Sequence, residues 1–565
     1  MKKNFLFAMA MAAVFAGCSS DDDPVANAGG EVTGEGYVAL GINLPTVNST
    51  RAANDHFDDG LTSEYEVKDA TLILFSGADE STATISAAYN ISTEPWSTNA
   101  DDQITVTSKK VVQQVTSIAH PQALVVLNHN NTMTATGNDL LVNSTSVIGK
   151  TLSEFLALTD VTSGKTLNEN GFYMANAPLS NKIGGATSPL GAKITTLVPV
   201  TIYESKAAAD VATPSQIYVE RANAKVTMTK TDGNLSDNTT ISYVIDGWAI
   251  DNYNSVTDLV RNTDGFTDWL DYTTNKSGET NYRFVGSDDV ETTGQSYRTY
   301  FAKDVNYSGE ASPALVSPDV KTYNTEFGAD KPAYCFENTF NVENQKDNQT
   351  TRVVVKAKLN GGNTFYLING DKTVLYTEET LKTAIIDYHM GNAAMNAWLV
   401  ANHKAGEPEI TAADFEVTLV TTGTTTTFTV APALTLAAKL SADYATAPTV
   451  DLSTYVKVEC YENGYSYYTI RIKHFGDDLT PWDDGETTTP SASEIYPSAN
   501  AEKNYLGRYG VLRNNWYDIN VTGIRNIGDP EVPAVNGDWD DEKEAYIVCQ
   551  INVLSWAKRT QDVEL

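Results

Sequence analysis

Apolar residues in this chain recur at every second position, in short runs that end at Gly, Pro, Asn or Asp. Val38, Leu40, Ile42 and Leu44 alternate with small or polar residues, and Pro45 ends the run. A strand places successive side chains on opposite faces, so this spacing describes a strand with one buried face. Residues 69–75 and 123–128 are apolar enough to be core strands, and 194–202 is a strand at an edge or bulge because it contains Pro199. Further strands are expected around 241–249, 297–303, 351–358, 364–368, 415–420, 425–430, 456–461, 466–473 and 516–524. Glu462-Asn463-Gly464 between two of them is a hairpin signal. Helical spacing is scarce. Thr151-Leu152-Ser153-Glu154 has capping-box spacing and opens a short helix through Leu158. Residues 378–402 read as one helix with Thr377 as N-cap and Leu381, Ile385, Tyr388, Met395 and Leu399 on a buried face. The fold class is therefore all-β with a few short helices.

A length of 565 residues exceeds one compact domain and predicts two or three. The segment 217–228 follows Pro214-Ser215, and the boundary is placed there. The expected parts are a leader (1–17), a propeptide (18–51), an N-terminal domain (52–216), a C-terminal domain (217–544) and a terminal strand with its tail (545–565). Asp and Glu number 72 against 39 Lys and Arg, a net charge of −33. That balance argues against nucleic acid, because neutralising phosphates needs a basic face. Cys335, Cys460 and Cys549 form no metal motif and are expected to be buried and unpaired, with a 335–460 bridge left open.

The N-terminus carries processing information. Met1-Lys2-Lys3-Asn4 is a positive n-region, and residues 5–15 are apolar but too short to span a bilayer. Phe15-Ala16-Gly17-Cys18 fits a lipoprotein signal-peptidase site, with Cys18 the residue that becomes diacylated. The acidic run Ser19-Ser20-Asp21-Asp22-Asp23 resembles the export signal of surface lipoproteins in Bacteroidota. After the strand that holds Val38 to Leu44 comes the small, polar stretch 48–55, the kind of segment proteases cut. Arg51 is the first arginine of the chain, and no lysine lies between Cys18 and Arg51. A cut between Arg51 and Ala52 would remove the lipid and the first strand together.

The chain ends on another strand. Ile547, Cys549, Ile551 and Val553 share one face, and Tyr546, Val548, Leu554 and Trp556 the other. Two apolar faces suit a strand buried between layers. Enzymatic motifs do not emerge. The six histidines lack His-x-x-x-His or His-Glu-x-x-His spacing, no Gly-x-Ser-x-Gly elbow occurs, and no carboxylate pair stands in a recognisable glycosidase motif. The acidic stretches 477–486 and 538–542 lack EF-hand spacing and read as solvated loops. No enzyme activity and no cofactor are expected. A surface glycan-binding lipoprotein is the alternative, because it would share the lipobox, the acidic signal and the β-rich pattern.

Several segments together resemble the major fimbrillin of the short, Mfa-type fimbriae of Bacteroidota, a type V pilin family. They are 124–128, Val219-Glu220-Arg221-Ala222-Asn223-Ala224-Lys225-Val226, the run 513–524 and the ending 551–556 with Val563-Glu564-Leu565. The resemblance runs from the lipobox to the C-terminus, with Ser555 where the family often has proline. It implies two transthyretin-like β-sandwich domains and cleavage by an arginine-specific protease at Arg51-Ala52. It also implies that a neighbour's C-terminal segment fills the emptied groove. That donor is 545–556, the tail 557–565, or both, with Val563 and Leu565 as candidate anchors. The implied partners are other copies of the chain, accessory tip and anchor subunits, the protease, and receptors on host or bacterial surfaces. The implied location is a surface fimbrium whose precursor is lipid-anchored at the outer membrane, serving adhesion and biofilm formation.

Overall fold

The computed structural model describes residues 34–43, 61, 64, 66–91, 108–158, 161–162, 171–180, 194–263, 297–299, 302–307, 315–316, 322–340, 344, 346–472, 474, 510–537 and 546–555. In the N-terminal half, β1 (Glu35–Asn43), β2 (Ala70–Ser76), β3 (Thr84–Asn90), β4 (Ser108–Thr116) and β5 (Pro121–Leu127) come first. They are followed by α1 (Leu152–Leu156), β6 (Met174–Asn176), β7 (Ile202–Tyr203), α2 (Lys206–Val211) and β8 (Ser215–Arg221). The sheet runs β1-β8-β6-β5-β2-β3, with β4 on the other side of β1. The central strands β2 and β5 are buried on both faces. Leu72, Leu74, Val125 and Leu127 enter one core, and Ile73, Phe75, Leu124 and Val126 enter another. This accounts for their unbroken apolar runs, which alternation would have interrupted had one face met water. The capping box of α1 forms as its spacing requires: Thr151 N donates to Glu154 Oε2 at 2.8 Å, and Glu154 N donates to Thr151 Oγ1 at 3.3 Å.

The C-terminal half is a sandwich. Its elements begin with β9 (Asn223–Lys230), β10 (Ser242–Asp251), β11 (Ala333–Phe336) and β12 (Arg352–Leu359). An inserted lobe follows: β13 (Phe365–Ile368), α3 (Glu378–Gly391), α4 (Ala393–Asn402), β14 (Phe415–Thr422), β15 (Thr425–Pro432), α5 (Leu434–Lys439) and β16 (Val458–Tyr461). The chain returns through β17 (Tyr465–Arg471), β18 (Asn515–Ile524) and β19 (Ile547–Ser555). Sheets β11-β9-β18-β19 and β10-β12-β17 face each other across a core that includes Val226, Trp248, Val355, Ile470, Tyr517 and Ile519. The lobe sheet, β13-β16-β15-β14, has apolar clusters of its own with the three helices.

The run 217–228, read from the sequence only as the place of a boundary, forms two strands: β8 stays in the N-terminal sheet and β9 pairs with β11 and β18, so the chain changes sheets at Ala222. Two sequence expectations change here. The helix expected over 378–402 breaks at Asn392, whose Oδ1 accepts from the amides of Ala394 and Met395 and starts α4 as a new helix. The break changes the buried face, so Ile386 and His389 are buried while Tyr388 is 41% exposed. The turn at Glu462-Asn463-Gly464 forms, with Asn463 at φ 54° and Gly464 at φ 70°, but it joins two sheets and makes no hairpin. A Cβ on Gly464 would strike the carbonyl of Leu359, so glycine is required for this crossing. The three described cysteines are free, and burial pushes the thiol of Cys335 up to about 12.

Leu72 is fully buried in the core beneath β1. Leu72→Ala is expected to lower stability by about 2–5 kcal/mol in denaturant unfolding, through lost burial and the cavity left behind.

Candidate functional site

β1 occupies a slot. It makes nine antiparallel pairs with β4 along one edge, from Glu35–Thr116 to Asn43–Ser108. Its other edge is shared. Leu40 to Asn43 run parallel to Ser215–Tyr218 of β8, and Tyr37 and Val38 pair with β7. Val38, Leu40 and Ile42 are each 0% exposed and pack with Leu72, Leu74, Val125, Ile217 and Val219. Removing β1 would therefore bare two rows of backbone donors and acceptors, as well as an apolar stripe. Among the expected processing residues, Cys18, Leu44, Arg51 and Ala52 lie outside the described residues.

The C-terminal strand belongs to a different sheet from that slot. β19 makes nine antiparallel pairs with β18 at the end of the sheet. Ile547 is buried in the C-terminal core, Cys549 packs partly against it, and Val548 between them is 44% exposed. The backbones of Ile551 and Val553 pair with Ile519 and Tyr517. Trp556, Val563 and Leu565 lie outside the described residues. A donor role for 547–555 thus requires leaving β18, whereas one for the residues beyond 555 does not.

Between slot and sandwich lies a belt of buried charge that sequence reasoning missed. Lys225 Nζ is 3.0 Å from Glu64 Oε1 and 3.9 Å from the ring centre of Trp516. Tyr334 donates its hydroxyl to the same Glu64 oxygen at 2.6 Å, and Arg221 Nε donates to the Glu64 carbonyl at 3.0 Å. Arg261 grips both oxygens of Glu220 at 2.8 Å each. Arg513 Nε donates to Glu337 Oε1 at 2.7 Å and its Nη2 to Thr257 Oγ1 at 2.9 Å. Paired guanidinium and carboxylate groups with further hydrogen bonds are the form in which charge survives burial. Asp304 is held well above the usual carboxylate range, first by burial and then by the neighbouring Glu337 charge. The segments 219–226 and 513–524, singled out above only as family-like, meet here: β9 runs parallel to β18 with Lys225 opposite Trp516. Asn514 ties them further, its amide donating to the Asn223 carbonyl at 2.7 Å. Among the described residues no group of His, Cys, Asp and Glu is arranged to hold a metal ion. The acidic stretches 477–486 and 538–542 lie outside the described residues.

Residues 493–562 match the family described as major fimbrial subunit protein type IV, fimbrillin, C-terminal. No curated protein sequence matches the chain. Similar solved structures include a cell adhesion protein of Parabacteroides distasonis, at 11% identity and TM-score 0.37, covering 93% of this chain and 98% of that one. A fimbrilin of Porphyromonas gingivalis has 13% identity and TM-score 0.37, with the same coverage of 93% and 98%. The tip fimbrial protein Mfa3 of Porphyromonas gingivalis, truncated at its C-terminus, has 10% identity and TM-score 0.30, covering 92% and 100%. The resemblance read from the sequence is borne out by the match over 493–562, at the level of the fimbrillin family rather than of its Mfa-type branch.

Two outcomes test the charged belt. Glu337→Gln leaves the buried Arg513 guanidinium without its counter-charge and is expected to cost about 3–5 kcal/mol in urea unfolding at neutral pH. Asp304 binds its proton more tightly folded than unfolded, so its contribution to stability falls as pH rises from about 4, the unfolded carboxylate range, towards the higher folded value. Asp304→Asn is expected to remove that part of the slope when unfolding is measured across the acid-to-neutral range.

Proposed function

We propose that the chain is a structural, non-enzymatic subunit of a type V fimbria, made as a lipoprotein on Cys18 and matured by cleavage after Arg51. The observation that carries this reading is the state of β1. It is paired on both edges and fully buried at Val38, Leu40 and Ile42, yet it precedes the first arginine of the chain, in a small, polar stretch. Losing it uncovers three aliphatic side chains' worth of core, roughly 5–9 kcal/mol of burial at about 1.5–3 each. An open edge of this kind is a template for another chain. Strand addition from a neighbour restores both the ladder and the core, a mode for which pilins are a general example.

The donor is the tail 557–565 of a second copy, in which Val563 and Leu565 serve as anchors, so that β19 keeps its place on β18. The contact joins different surfaces of the two copies and does not close, so repetition builds a filament. The stalk is the proposed place of this subunit, with accessory tip and anchor subunits at the ends. The precursor sits on the outer membrane by its lipid, and the mature subunit stands in a surface fimbrium that serves adhesion and biofilm formation. Its receptors are on host or bacterial surfaces, and an arginine-specific protease performs the maturation.

Sheared surface filaments are expected to contain protein that begins at Ala52 and carries no lipid, by N-terminal sequencing and mass spectrometry. Arg51→Ala is expected to keep acylated Cys18 on a precursor that stays out of filaments. Wild-type protein found only as the acylated, uncut form would replace this reading with a lipid-anchored glycan-binding protein.

A further inference from the structure

β1 shows aliphatic side chains to the core and, beyond Tyr37, small ones outward. Opposite Val38, Leu40 and Ile42, the outward positions are Ala39 and Gly41, both buried. Cross-strand partners share a face, so Val112 beside Ala39 and Lys110 beside Gly41 also look outward. α2 lies on that side, packed across β1, β4 and β7 with Ala209 buried. Lys110 fastens it: its Nζ donates to the carbonyl of Asp210 at 2.6 Å and to that of Ala212 at 2.9 Å. A cation there satisfies carbonyls that a helix end leaves unpaired. A Cβ at Gly41 would come within 2.7 Å of Gln216 Oε1, so that exposed side chain would have to shift for any larger residue. With α2 in place, the slot suits a strand whose outward residues are small.

The C-terminal segment is not such a strand. Nowhere in 547–565 do three aliphatic residues alternate with Gly or Ala. Its end, Asp562-Val563-Glu564-Leu565, alternates acid with aliphatic instead. Resting on the strand-exchange reading above, we infer that α2 is a removable cover and that Lys110 is handed from the carbonyls of α2 to a carboxylate of the incoming tail. Val563 and Leu565 of the second copy face the core in place of the aliphatic residues of β1, and Asp562 and Glu564 face outward, towards Lys110. The exchange replaces neutral acceptors by a charged one, which makes a stronger hydrogen bond. β1 already uses one acid on this face, because Gln114 of β4 donates to the Glu35 carboxylate. α2 is six residues long, too short to persist without packing, and the departure of β1 takes away part of its support.

The test follows filament growth from cleaved subunits by light scattering. Lys110→Glu alone, and Asp562→Lys with Glu564→Lys alone, are each expected to slow growth about tenfold or more through like-charge contact. All three substitutions together are expected to restore it. Thermal unfolding of the uncut precursors checks folding, and Lys110→Gln, which keeps a donor for α2 without the charge, replaces Lys110→Glu if that variant fails to fold. A photo-crosslinking residue at Gln216 separates the role of Lys110 from strand exchange itself. Crosslinks to the tail with growth indifferent to charge overturn the role of Lys110 and leave strand exchange standing. No crosslink to any part of 547–565 overturns both.

Discussion

Lys225 is buried at the point where the two halves of the molecule meet, held between the Glu64 carboxylate and the face of Trp516. Most of what surrounds it follows from the cost of keeping that charge out of water. Glu64 must reach in from the segment before β2, and Tyr334 must complete the carboxylate's hydrogen bonding. Trp516 must lie flat beside Lys225, which fixes the parallel register of β9 on β18. A buried ammonium without these partners would be strongly unfavourable, so the pairing selects one relative placement of the elements that supply them. Arg261 with Glu220 and Arg513 with Glu337 extend the same logic along the crossing.

This arrangement reconciles two demands on β1. The N-terminal sheet needs that strand, since it fills a groove between β4 and β8 and closes one of two cores. Strand removal would be ruinous if the whole molecule leaned on it. The charged belt, however, draws its residues from 64, 220–225, 261, 337 and 513–516 and takes nothing from β1. The second core, below the other face of β2 and β5, is also independent of it. The groove can therefore be emptied and refilled while the rest of the fold keeps its registration.

The sequence made β1, β2, β5 and β18 legible because each obeys a local rule, alternation or an unbroken apolar run. The capping box of α1 was equally local. The belt was not legible, because charged residues inside strands look like solvent-facing ones until their partners are known. Arg513 and Glu337 are 176 positions apart, and Arg221 and Asn514 are 293 apart. The inserted lobe was hidden for another reason: its Thr-rich strands β14 and β15 have the same pattern as those of the main sandwich. The break at Asn392 was signalled only weakly, by the neighbouring Gly391, since a cap within a helical pattern competes with simple continuation. Of the processing and donor residues, the alternation at Val38, Leu40 and Ile42 was readable from the start.

The nine-rung ladder between β19 and β18 has a mechanical meaning. In a filament built as proposed, tension enters a subunit at the N-terminal groove and leaves through the chain end beyond Ser555. Ser555 pairs with Asn515 at the same end of the sheet where Lys225 pairs with Trp516, so the pull falls first on the rung beside the charged belt and reaches the other eight one after another. The load then crosses to β9 through parallel β18 and reaches the N-terminal sheet at Ala222, where the chain itself is continuous. A subunit of this design would be expected to carry drag from flowing liquid over the short path between Ser555 and Ala222, a path that does not pass through the sheet of the inserted lobe.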